Sequence, residues 1–117
     1  MAIDTKAALY TLGEDLDLLK LISKIFEEDS PELLAKFLEK TAQRDAHQAQ
    51  LAIHSLKGLV ASFFDREAVE LFGEIEIACQ TQQWKIVLSS RDAIGETINR
   101  VLFELTHQGL IPDKSSD

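Results

Sequence analysis

Residues 52–64 read AIHSLKGLVASFF, an apolar run interrupted by one histidine, one lysine and one glycine. On a helix turning about 100° per residue, Ala49, Ala52, Leu56, Leu59, Val60 and Phe63 fall on the half opposite His54. Those six residues make a core seam. Gln50, Lys57, Gly58 and Ala61 share the half that carries His54, all within about 60° of it. Strand alternation is missing from the run. The stretch is an amphipathic helix whose histidine points to water.

The same period runs outward in both directions. A short first helix is expected from about Asp4 to Leu12, stopping at Gly13. In DLDLLKLISKIF, Leu18, Leu19, Ile22, Ile25 and Phe26 are helically spaced, and Ser30-Pro31-Glu32 then offers a capping hydroxyl with proline at a first helical position. This predicts a second helix before Ser30 and a third, through Leu33, Leu34, Phe37 and Leu38, to about Arg44. Asp45 and Gln48 open the fourth helix, which carries the quoted stretch to about Phe64. Asp65 caps a fifth, with Ala68, Leu71, Phe72, Ile75, Ala78 and Cys79 as its apolar stripe. After QTQQ, a sixth runs from Trp84 to Leu105, closed by Gly109 and Pro112.

No strand pattern, hairpin dipeptide or internal repeat competes with this reading. The expected fold is all-α: an antiparallel up-down four-helix bundle with two additional N-terminal helices over one end or side. Residues 1–117 are expected to be one domain, with a helix in 1–12, the bundle and covering helix in 13–107 and a mobile tail in 108–117.

Composition narrows the partners. With 12 basic and 20 acidic residues the net charge is −8, a field that repels a phosphate backbone and an anionic membrane surface. No apolar run is long enough to span a bilayer. The single cysteine, Cys79, cannot form an internal disulfide, and the opening MAIDTKAALY lacks a secretory signal, so a cytoplasmic location is expected. The start at Met1 and the polar end favour a free-standing chain.

The histidine face has a chemistry of its own. Gly58 and Ala61, one and two turns beyond His54, have almost no side chain, although a helix-interior glycine costs roughly 1 kcal/mol relative to alanine. Room for a second macromolecule over the imidazole explains that choice. Lys57, one turn from His54, would attract a phosphoryl group on the ring. At about 4 Å the attraction per unit charge is about 1 kcal/mol in water and about 4 kcal/mol at an effective dielectric near 20. A neutral nitrogen nucleophile beside a cation suits phosphoryl transfer.

HSLKG at 54–58 resembles the core motif of histidine-containing phosphotransfer (HPt) domains. The resemblance extends over roughly residues 12 to 105, through the helix pair in DLDLLKLISKIFEEDSPELLAKF and the helix with Ala68, Leu71, Phe72, Ile75 and Glu76. It implies an exposed phosphoaccepting histidine, His54, that shuttles a phosphoryl group between receiver-domain aspartates. It further implies that Lys57 steadies the phosphoryl oxygens, that Gly58 clears space for the receiver and that Glu76 orients the ring; Gly58, Ala61 and Gln50, on the histidine's half of the helix, are the expected receiver docking face. Magnesium is expected on the partner receiver, with no cofactor on this chain. Leu59, Val60 and Phe64 depart from the family pattern, Phe64 standing where a glycine is common.

Other classes fit less well. There is no glycine-rich phosphate loop, so no ATP site, and Ser55 points about 100° away from His54. No metal site is expected: His47 and His54 are about 10 Å apart along their helix, and His107 lies far away. A non-catalytic docking module of the same fold, binding a receiver or kinase domain without phosphotransfer, is the alternative. A monomer is expected.

Overall fold

The computed structural model describes residues 1–113, and among these six helices and no strand are present. They are α1 (Thr5–Thr11), α2 (Leu16–Ala42), α3 (Ala46–Ala61), α4 (Arg66–Gln80), α5 (Trp84–Ser89) and α6 (Arg91–His107). The last residues of the expected tail, 114–117, lie outside the described residues.

Aspartates start the first four helices. The side chains of Asp4, Asp15, Asp45 and Asp65 accept from Ala7, Leu18, Gln48 and Ala68 N–H respectively, each satisfying an otherwise orphaned donor. Four helix ends close alike: the N–H two residues past the cap reaches back to the third-last helical carbonyl, as in Asp45 to Lys40, Gln83 to Ala78 and Leu110 to Leu105. The residue between sits at positive φ. At Gly13 and Gly109 it is glycine, but Arg44 (57°) and Gln82 (54°) fill the same role.

Two expected boundaries are corrected. Ser30-Pro31 does not start a helix: α2 runs 27 residues through Pro31, and Ser30 is buried without a hydrogen-bond partner for its hydroxyl. Phe26 and Phe37, both fully buried, are eleven residues apart, about 20° from the same face, so one unbroken helix keeps both in the core. The N-terminal extension is therefore one short helix, not two. The expected sixth helix is instead α5 and α6, interrupted at Ser90. Ser89 and Ser90 donate their hydroxyls to the carbonyls of Ile86 and Val87, competing with the helical ladder where it gives way.

The core is continuous. α3 packs on α2 and α4, α2 also meets α1 and α6, and α5 touches α2, α4 and α6. Phe26, Phe37, Phe63 and Phe72 fill its centre, Phe26 and Phe63 edge to face at 5.8 Å. Leu110 and Ile111, assigned above to the tail, are buried in this core. The result is an all-helical bundle with α3 flanked on both sides.

Candidate functional site

The seam read from residues 49–63 is the buried face of α3 and of the turn after it: Ala49, Ala52, Leu56, Val60 and, past the helix end, Phe63 are buried, Leu59 half-buried, and Ile53 joins them. That leaves His54 outward, its side chain 60% exposed. Gly58 and Ala61 are also exposed, one and two turns along. A groove beside them is lined by Ser55, Gly58 and Leu59 of α3 and by Asp29, Leu33 and Lys36 of α2.

On the other flank α4 brings up Glu76, whose side chain is only 9% exposed. Three donors from α3 converge on it. His54 Nδ1 lies 2.9 Å from Oε2, Gln50 Nε2 donates to the same oxygen at 2.7 Å, and Lys57 Nζ donates to Oε1 at 2.6 Å. Burial alone would push this carboxyl up. The hydrogen bonds from Lys57, Gln50 and His54, with the charge of Lys57, outweigh it and hold Glu76 below its ordinary value.

An ionised carboxylate only accepts, so Nδ1 carries the proton and, in the neutral ring, Nε2 carries the lone pair. The bond fixes both the tautomer and the plane of the imidazole. The Lys57 stem passes beside Gly73 of α4, where an added Cβ would stand in ordinary contact with Lys57 Cδ at 3.9 Å.

Each residue singled out in the sequence thus has a place. His54, Lys57 and Glu76 form one hydrogen-bonded cluster. Gln50, assigned above to the docking face, is half-buried and bonded to Glu76. Sequence reasoning put Gln50 on the histidine's half of the helix but had no means of pairing it with a residue 26 positions away. Phe64 is 44% exposed at φ +54° and shares a surface cleft with Ala61, Ala7 and Val69.

The corner that carries Phe64 is anchored from behind. Asp65, fully buried, accepts from Arg100 Nη2 at 2.7 Å, and Arg100 Nη1 donates to Glu104 at 2.8 Å. Glu104 also accepts from Ile3 N–H at 3.0 Å, and Asp4 N–H donates to Phe63 O at 2.8 Å. The start of the chain is thereby stitched to the α3–α4 corner. Cys79 is fully buried, and that burial pushes its thiol up to about 11. Among the described residues no three His, Cys, Asp or Glu side chains gather as a metal-binding group, and no helix is long and apolar enough to cross a membrane.

Comparison with protein families matches residues 22–103 to the Hpt domain. Domains of this family are helical phosphocarrier modules of two-component signalling, not ATP-using enzymes, and they work with receiver domains. A search of curated proteins and a search of solved structures returned no match. The matched segment holds the whole of α3 and α4, with His54, Lys57 and Glu76, and covers well over half of the 117 residues. The chain belongs to the Hpt domain family.

Proposed function

We propose that His54 accepts a phosphoryl group on Nε2 from the aspartyl phosphate of one receiver domain and passes it to the aspartate of another. The observation that carries this is the exposed imidazole held at Nδ1 by a buried, ionised Glu76. In the step, the Nε2 lone pair forms the N–P bond as the P–O bond to the acyl oxygen breaks. The aspartate leaves with that electron pair. The Nδ1 proton stays in place, so the ring gains one positive charge as it gains the phosphoryl group, and Glu76 stands against that charge. Onward transfer runs the same step in reverse toward a second aspartate.

Lys57 rests on Glu76 at 2.6 Å and, in this reading, turns its ammonium to the incoming phosphoryl oxygens. Gly58 and Ala61 give the receiver its approach. Magnesium and the rest of the transition-state machinery belong to the receiver, and the chain works as a cytoplasmic monomer on an up-down four-helix bundle. The half-exposed Phe64 ring beside Ala61 favours a second reading, in which the same face docks a receiver or kinase without transfer.

One experiment separates the two. Incubation with a phosphorylated receiver is expected to leave an acid-labile, base-stable label on the wild-type chain and none on His54→Gln, which keeps the helical circular-dichroism spectrum. Label of undiminished amount on His54→Gln would move the site elsewhere, and an unlabelled wild type would favour docking alone.

A further inference from the structure

Gln50 stands one helical turn before His54 and donates to Glu76 Oε2 at 2.7 Å, the same oxygen that His54 Nδ1 approaches at 2.9 Å. Lys57 takes the other oxygen. The three donors are not equivalent. His54 is the group to be held, and Lys57 is the one that must leave if its ammonium is to meet a phosphoryl group. With Lys57 gone, Oε1 loses its donor, and a carboxylate with a side chain only 9% exposed has little water to replace it. Unless something else fixes Oε2, the carboxylate is free to rotate after the departing ammonium, taking the Nδ1 bond with it.

We infer that Gln50 is a positioning residue for the histidine: its amide pins Glu76 Oε2 so that the carboxylate keeps hold of Nδ1–H while Lys57 serves the phosphoryl group. This rests on the phosphotransfer reading above. The amide suits the task because it is an uncharged donor. A cation at position 50 would compete with the imidazolium for the same oxygen, and a carboxylate would repel it. The side-chain hydrogen bond of Gln50 goes to Glu76 Oε2, so it acts on the ring through that carboxylate.

The test is made on the full chain labelled with ¹⁵N in its histidine rings. Ring nitrogen shifts give the ratio of the two neutral His54 tautomers, and uptake of label from a phosphorylated receiver gives the rate. Gln50→Met keeps the length of the side chain and a good helix former while removing the donor. It is expected to raise the Nε2–H tautomer and slow uptake about tenfold, with an unchanged helical spectrum. Gln50→Glu, which sets a second carboxylate against Glu76, is expected to shift the ratio further. A wild-type tautomer ratio in Gln50→Met, or an unchanged uptake rate where the wild type does take up label, overturns the assignment. A shifted ratio in a protein whose wild type takes up no phosphoryl group upholds the positioning of the ring and instead overturns the relay reading.

Discussion

A Cβ built on Gly58 meets no atom within 4 Å, so nothing inside the molecule requires glycine there. Its backbone is ordinary helix, without the positive φ that makes glycine useful at helix ends. The residue therefore costs helix stability, by roughly 0.5–1 kcal/mol, and returns nothing to the fold. Clearance for a visiting surface is the reason that the proposed docking would supply. Gly58→Gln is accordingly expected to hold or raise the unfolding free energy by up to about 1 kcal/mol while slowing phosphoryl uptake from a receiver roughly 10- to 100-fold. Parallel denaturation and uptake measurements check the two halves. Unimpaired uptake would sink the clearance argument whatever happened to stability. Phe64 is the opposite case, a bulky residue at φ +54° that accepts local strain of about 1–2 kcal/mol and keeps its ring beside Ala61, on the face proposed for docking.

Helix α2 shows how burial overrules a local rule. Proline in a helix interior removes one hydrogen bond and crowds the carbonyl four residues back, costing about 3 kcal/mol. Against this, Leu19 and Phe26 before the proline and Phe37 after it are all fully buried, and Phe37, worth roughly 1.5–3 kcal/mol, keeps the face of the other two only while the helix continues through Pro31. Phe37, with Leu33, Leu34 and Leu38 packed against the core beside it, outweighs one proline. Pro31 itself is exposed, so Pro31→Ala changes the backbone and little packing. Allowing about 0.4–1 kcal/mol for the freer unfolded chain, a gain of about 2 kcal/mol is expected, read as a higher urea midpoint at unchanged slope. A lower midpoint would mean that the proline supports the helix. The same contest explains what the sequence showed of the elements. Caps at Asp45 and Asp65 are local and were legible, as was the seam of α3. Continuity across Pro31 depends on partners in α3 and beyond. The gap at Ser89-Ser90 depends on hydroxyls choosing carbonyls over water, which no periodicity records.

Across the whole molecule, two buried carboxylates tie distant segments together. Glu76 joins α4 to three residues of α3, and Glu104 joins α6 to the chain's start and, through Arg100, to the α4 cap. The exposed histidine was legible because a helix wheel needs only its own segment. The triple bonding of Glu76 was not, because its partners lie 19 to 26 positions away and converge only once α3 and α4 are packed. The resemblance to a known family supplied Glu76 as a candidate where spacing alone could not. Both carboxylates also make stability depend on pH in a definite direction. Burial raises each, but Lys57, Gln50 and His54 for Glu76, and the Ile3 N–H and Arg100 for Glu104, bring both below the ordinary 4.5. In acid the unfolded chain therefore takes up these protons first. Their contribution is whole above the ordinary carboxyl value and is lost as pH falls through the depressed ones. Relief of the −8 net charge works the other way until about the isoelectric point of 4.8, so the decline belongs below it. Urea unfolding at a series of pH values is expected to show stability dropping steeply below about pH 5. Glu104→Gln, already uncharged there, should start lower and fall less steeply. If wild type and Glu104→Gln lose stability in parallel down to the acid limit, the carboxylate bonds are not what holds the start of the chain against the bundle.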